Sequence, residues 1–293
     1  MSTVDRRALF TSGAAAALLA ATGVSAAGTG PQPGGRLRAA LSGASRGDMW
    51  GEPNPGLFMR AAAQGAVFDT LTEIAAKGTL RGELATRWTG SADAREWIFD
   101  LREDAVFHNG IPFGAVDVVA SVQRHRRNGL LQDVTEIQAA GPTCVRIVLA
   151  RSNADFPFLL SDPSLVIYPA HETEAAVKAG VGTGLYRVKK FLPGRQFLGV
   201  RVEKHYKDGK SGWFETVEFT SVPDARVRAQ ALEGGYVDVA DQIDPSGLTG
   251  TGDAVKIVQQ FAVRVEASLA MSDASGTRWP LDNYRMAERW WLT

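Results

Sequence analysis

The stretch EWIFDLREDAVFHNGIPFGAVDV, residues 96–118, decides how this chain is read. Residues 96–101 form the second arm of a hairpin whose first arm is 87–89, turning at Ser91-Ala92-Asp93. His108-Asn109-Gly110 is a turn, and a helix follows Pro112, running from Gly114 to about Arg126. Val116, Val119 and Val122 recur three apart along it, as an apolar helix face would. Its basic end, Arg124-His125-Arg126-Arg127, complements the carbonyl end of the helix dipole and reads as a solvated terminus.

The same hairpin-and-helix grammar extends in both directions. Residues 36–41 are a strand, 42–55 a Gly/Pro-rich loop, and 57–71 a helix. Residues 134–139 and 143–150 pair around Gly141-Pro142, and the alternation in the second arm makes Cys144 a small sheet residue. A short strand at 165–168 precedes a helix at 171–178. Residues 185–191 and 197–203 pair around Pro193-Gly194, and 214–221 alternates clearly. Residues 224–233 read as a capped helix closed by Gly234-Gly235. Strands are expected at 236–240, 255–259 and 263–270, and a last helix at 283–292. Single helices among hairpins do not alternate as a doubly wound fold requires. The fold class is therefore α+β, a mixed sheet of hairpins with flanking helices.

Composition narrows the function. The chain has 293 residues, 45% hydrophobic and 22% charged, which is ordinary globular usage. Thirty-two basic residues balance thirty-two acidic ones, so no global field draws it to nucleic acid or anionic lipid. The single cysteine, Cys144, allows no internal disulfide and no thiolate metal cluster. His108, His125, His171 and His205 lack metal-ligand spacing, and surface or turn positions are expected for all four. No metal or cofactor is expected. Gly180-Val181-Gly182-Thr183-Gly184 lacks the Lys-Ser/Thr of a phosphate loop and reads as a tight strand entry. Gly43-Ala44-Ser45-Arg46-Gly47 matches the nucleophile-elbow pattern of serine hydrolases, but glycine and proline follow where a helix should. A glycine-rich loop is the better reading, and no enzyme is expected. A hydrolase using Ser45 stands as a remote alternative.

Residues 1–26 read as a secretory signal peptide: Arg6-Arg7, an apolar run over 14–21, and the small-residue exit Val24-Ser25-Ala26-Ala27. The run is shorter than the roughly 20 residues of a membrane span. The paired arginines resemble a twin-arginine export signal, although Asp5 stands where Ser or Thr is usual, leaving the Sec route open. Export to the periplasm in soluble form is expected, with 27–35 a flexible leader and 36–293 the mature domain.

Six blocks, in order, resemble the extracellular solute-binding proteins of peptide and nickel ABC importers, family 5. They are Leu84-Ala85-Thr86-Arg87-Trp88; residues 96–113; Ala115-Val116-Asp117-Val118; Gly182-Thr183-Gly184-Leu185-Tyr186; residues 215–219 with Asp224 and then 231–239; and Pro280-Leu281-Asp282-Asn283-Tyr284-Arg285-Met286-Ala287. Leu185 replaces the family's proline, and Gly114 replaces its Ser or Thr cap. The resemblance implies lobe I of a class II periplasmic binding protein-like fold, an ABC permease as partner and a peptide or similar solute as ligand. In the family the helix resembling 282–291 leads into a second lobe. The expectation here is a single lobe with the second missing or truncated, and weakened trapping of ligand. Its alternative is a single-lobe interaction module or a non-functional fragment. Adjacent Trp290 and Trp291 diverge by about 100° on a helix, so a protein partner or self-association through them is a further expectation. Ligand-contacting residues are expected on loops at one sheet edge: Ser45 and Trp50 in the first loop, Phe68 at a helix end, Asp241 and Gln242 after a strand, and Ser272.

Overall fold

A computed structural model describes residues 33–52, 55–75, 78–171, 173–244, 246 and 248. The segments expected as signal peptide, as most of the leader, as strands at 255–259 and 263–270 and as a last helix, together with Ser272, Trp290 and Trp291, lie outside the described residues. Gly34 and Gly35, at the leader's end, already hydrogen-bond to Trp213 and to the amides of Glu215 and Thr216.

Strand β1 (Arg36–Leu41) is the hinge of the larger sheet. It carries Leu37, Ala39 and Leu41 into an apolar core and pairs in parallel on both sides. The first α-helix, α1 (Leu57–Ala62), passes into a π-helical turn, Ala63–Val67. Strands β2 (Thr72–Ile74) and β3 (Leu80–Gly82) form a small hairpin. Then β4 (Ala85–Gly90), β5 (Glu96–Leu101), helix α2 (Ala115–Arg127), β6 (Val134–Gly141) and β7 (Cys144–Leu149) build an antiparallel sheet of order β4-β5-β7-β6. Short helices α3 (Phe156–Leu159) and α4 (Thr173–Ala179) lead to β8 (Tyr186–Leu192), β9 (Gln196–Arg201) and β10 (Thr216–Ser221). Helix α5 (Ala225–Glu233) starts at Asp224, whose carboxylate accepts from the amides of Arg226 and Val227, and β11 (Val239–Ala240) closes the described chain. The larger sheet has the order β11-β1-β10-β9-β8. Each sheet covers its own core: Trp50, Phe58, Phe68, Tyr186 and Phe197 on one side, Trp97, Phe99, Phe107, Phe113 and Ile147 on the other.

Three expectations need correction. The helix expected to reach residue 71 stops at Val67. The amide of Phe68 reaches back to Ala63 O (2.8 Å), and the Val67 carbonyl is taken by Gly184 N (2.9 Å). Gly182 is pressed so closely on that carbonyl that a Cβ there would lie 2.0 Å from Val67 O. Residues 165–168 are buried but form no strand, because their hydrogen bonds run to Asp69 O and the Ser121 hydroxyl rather than to a neighbouring ladder. On α2, Val116 is 62% exposed, and the buried faces are Ala115, Val118, Val122 and Asp117, Ser121, His125. A spacing of three falls behind the 3.6-residue turn and rotates off the core face. Asp117 does more than punctuate the helix: it accepts from Gly114 N (2.8 Å) and from Ala170 N (2.7 Å), tying α2 to the following segment.

The histidines also differ from expectation. His125 is buried and His108 and His205 are partly buried, each with Nε2 against a carbonyl oxygen, of Val166, Gly184 and Thr183 respectively; His171 is exposed. His125 and Arg124 are therefore packed at the basic end of α2 rather than solvated.

Between the two cores lies a buried ion cluster. Lys207 Nζ pairs with Glu83, lies 3.3 Å from Asp69 Oδ1 and 3.8 Å from Glu73 Oε2, and all four side chains are nearly inaccessible. Thr183 donates to Asp69 (2.9 Å), and Thr70 donates to Glu83 through both its amide and its hydroxyl. Burial alone would raise the Asp69 carboxyl, but the Lys207 ammonium and His205 outweigh it and hold it well below the usual carboxylate range. Glu83 is driven the other way, by burial first and then by its neighbours Glu73 and Asp69. Removing a buried cation leaves its carboxylates uncompensated, which costs about 3–5 kcal/mol. Lys207→Met is thus expected to lower the unfolding free energy at pH 7 by that amount in urea titrations; a loss under about 1 kcal/mol would contradict the account.

Candidate functional site

Strands β1, β10 and β11 run parallel and end together, at Leu41, Ser221 and Ala240. The carboxyl edge of parallel strands is where ligands gather in open sheets, because backbone loops converge there above a rigid floor. Here the edge is tied by one network. Asp241 is buried and accepts from the Ser42 amide (2.9 Å) and hydroxyl, and its Oδ1 lies 3.3 Å from Arg228 Nε. The buried Arg228 guanidinium donates in addition to the carbonyls of Val222, Pro223, Asp241 and Gln242. Its donors are directed inward, so Asp241 and Arg228 lock the edge rather than face solvent. Gln242 is exposed and sits at φ +39°, a conformation disfavoured for a residue with a Cβ, and its side-chain oxygen lies 3.2 Å from Ser42 Oγ.

The loop after β1 carries the edge across to a small cavity. Ser45 N donates to Asp48 Oδ2 (3.0 Å) and Ser45 Oγ accepts from Gly47 N (3.2 Å), a compact polar turn on the surface. This turn rests against Gly194 of the β8–β9 hairpin, where a Cβ would come within 2.8 Å of the Ser45 backbone. Beyond it the chain dips inward at Trp50 and passes the cavity, about 10 Å³, walled by Met49, Gly51 and Glu52 of the loop, Met59 of α1, and Ser164 and Tyr168. Met49 is 62% exposed, so the cavity reaches the surface.

The residues expected at a ligand surface separate into three places. Asp241 and Gln242 stand together at the strand ends, with Ser42. Ser45 is exposed on the loop, and the next helix begins only at Leu57, so the strand–turn–helix frame of a nucleophile elbow is not formed there. Trp50 and Phe68 are core residues: their rings meet edge-to-face at 5.9 Å, and Trp50 also packs on Phe191 (4.6 Å) and Phe197 (5.9 Å). The glycines around Trp50 hid this, since a loop that bends back on itself can bury one large ring. Ser272 lies outside the described residues. Met49, Glu52, Met59, Ser164 and Tyr168 went unread in the sequence; only the glycine at 51, beside an aromatic, hinted that backbone and ring approach closely there.

Tyr168 is packed from below by His125, ring centroids 5.8 Å apart. Burial lowers His125 to about 4, and burial pushes the Tyr168 hydroxyl up to about 12. The imidazole is therefore neutral and the phenol protonated at neutral pH.

Residues 79–285 match the family described as bacterial extracellular solute-binding proteins, family 5 Middle. A nickel-binding periplasmic protein of Escherichia coli K12 is 32% identical over 206 residues, 64% of this chain and 38% of that protein. A probable di/tripeptide-binding protein of Pseudomonas aeruginosa is 29% identical over 232 residues, 68% of this chain and 44% of that one. Among solved structures, the periplasmic binding protein AgaA of Agrobacterium tumefaciens R10, in complex with agropinic acid, superposes with a TM-score of 0.66 at 27% identity, covering 72% of this chain and 45% of AgaA. The chain thus spans less than half the length of these relatives.

Two measurements probe the edge and the cavity floor. Arg228→Met strands the Asp241 carboxylate and four carbonyls, and is expected to cost about 3–5 kcal/mol in urea denaturation. The His125 value in the fold lies below the ordinary 6.5, so its contribution is complete above pH 6.5 and is lost as pH falls toward 4. Stability should drop by about 3 kcal/mol over that window, with His108, also lowered by burial, acting in the same direction. His125→Gln should flatten most of the drop.

Proposed function

Because the chain belongs to the bacterial extracellular solute-binding proteins of family 5, we propose that it serves as the periplasmic substrate-binding component of an ABC importer, handing a peptide or related small solute to a membrane permease. The fold is the class II periplasmic binding protein type, and among the described residues no helix is long and apolar enough to cross a membrane. The observation that carries the reading is the shared carboxyl edge of β1, β10 and β11, locked by Arg228 and Asp241 and continued by the loop to the cavity at Tyr168. A rigid edge of this kind positions loop groups for binding without supplying an activated nucleophile, so the protein is read as a binder and not an enzyme.

On this reading the described residues would form one wall of the site. A solute held on one wall keeps much of its surface in water, and weak affinity follows. A second reading, a nickel chelate as solute, is favoured by the similarity to the E. coli nickel-binding protein.

Isothermal titration of the 293-residue chain separates these readings. Saturable heat with di- to pentapeptide pools, at dissociation constants weaker than about 100 μM, supports peptide binding. Heat with nickel plus histidine and none with peptides favours the chelate. Silence with both at millimolar concentration overturns the binding role.

A further inference from the structure

Composition gives the chain no net charge, but the fold gathers one sign of charge on one hairpin. Between Glu174 and Glu203 there is no acidic residue, and there are six basic ones: Lys178, Arg187, Lys189, Lys190, Arg195 and Arg201. Arg187, Lys189, Lys190 and Arg195 stand exposed on the β8–β9 hairpin, at one end of the larger sheet. A register shift between Val188 and Lys190 puts both lysines there. Tyr186, Val188 and Phe191 face the core, a step of two and then of three, so the bulge leaves both lysines in solvent instead of turning one inward. Among the described residues none of the four cations forms an ion pair. Carboxylates on the adjoining elements are already engaged. Glu218, across the ladder from Lys190 through Leu198, holds Arg36 (3.0 Å) and Gln196 (2.6 Å), and the buried Asp48 accepts from the Ser45 amide.

The tip of the same hairpin is apolar and held in place. Leu192 is 39% exposed, and Pro193 is exposed beside it. Arg195 N donates to Leu192 O (3.0 Å) and closes the turn, with Gly194 at φ +70° where a turn of this kind needs it. Behind the tip Phe191 packs on Trp50 at 4.6 Å, and Gly194 sits against the backbone of Ser45 and Arg46, which brings the exposed Arg46 to the same surface. Lysines on an edge strand deter pairing with other strands. That role explains neither a leucine presented at the tip nor cations that continue around the turn to Arg195 and Arg46. An apolar tip flanked by cations matches the surface of an anionic bilayer, where the headgroups meet the charges and the acyl boundary receives the side chain. We propose that the β8–β9 hairpin docks on anionic phospholipid, with Leu192 entering the interface and Arg187, Lys189, Lys190 and Arg195 meeting the headgroups. An acidic protein would answer the cations and leave Leu192 without a partner. The docking concentrates the chain at a membrane surface, and it stands whether or not a solute binds.

The test uses the 293-residue chain with vesicles of phosphatidylcholine and of an equimolar mixture of phosphatidylcholine and phosphatidylglycerol. Each basic side chain near an anionic surface is worth about fivefold in partitioning. Wild type is expected to prefer the mixed vesicles by about a hundredfold or more, and the double variant Lys189→Gln, Lys190→Gln to bind them about twenty- to thirtyfold more weakly. Raising salt from about 0.1 M to about 1 M should remove most of the preference by screening. An environment-sensitive dye on Leu192→Cys, in a Cys144→Ser background, locates the contact independently of residues 1–26. Its emission should shift to the blue with mixed vesicles, while the same dye on Gln138→Cys, exposed on β6 of the other sheet, should not shift. Urea midpoints check that the variants fold. Equal partitioning into both kinds of vesicle, or a double variant that binds like wild type, overturns the assignment. A loss in the double variant with no shift at 192 gives the cations to an acidic protein or another polyanion, and also overturns it. A shift at 138 as large as that at 192 means general adsorption and overturns it too. Each of these outcomes leaves the solute-binding reading standing.

Discussion

A lysine enclosed by three carboxylates sits where the two sheets meet. Asp69 lies just past the π-helical turn, Glu73 in β2, Glu83 just after β3, and Lys207 between β9 and β10. Apolar packing alone would let the two cores slide, since dispersion is non-directional. Charges withdrawn from water tolerate no such freedom: each must meet its partner at hydrogen-bonding distance or the desolvation is uncompensated. His205 and Thr183 extend the constraint to the 182–184 segment, whose glycines press on the end of the π-helical turn. The position where α1 ends is thereby set from another part of the chain.

That constraint reaches the candidate site through short links. The π-helical turn continues α1, and Met59 of α1 walls the cavity. Asp69 O receives the amide of Ile167, one residue before Tyr168. Trp50, packed among Phe68, Phe191 and Phe197, anchors the loop that brings Gly51 over the Tyr168 hydroxyl. At the other end of the loop, Arg228 and Asp241 hold Ser42. The loop is pinned at both ends, and in its middle Ser45, Arg46, Gly47 and Met49 are exposed while Asp48 is buried.

Local grammar was readable wherever the pattern and the environment agreed. The hairpins β4–β5, β6–β7 and β8–β9 follow from alternation and turn residues, and α5 from its Asp224 cap. The blocks resembling family 5 were legible because a turn, a cap and a strand each demand particular residues. Asp117 illustrates this: it caps α2 and holds Ala170 at once. Reading failed where burial was decided at long range. Val116 looked apolar enough to be core and is on the surface, while His125 and Arg124 looked solvated and are packed.

By itself the sequence determined the α+β class, the three hairpins β4–β5, β6–β7 and β8–β9, and the family, because these depend on residues near one another along the chain. Only the tertiary structure decided that Trp50 and Phe68 are core, that Lys207 gathers three distant carboxylates, and that Tyr168 and Arg124 converge on Gly51. The physical reason is that burial and charge pairing are properties of neighbours in space. Residues separated by more than a hundred positions, such as Asp69 and Lys207, become neighbours only once both sheets have closed.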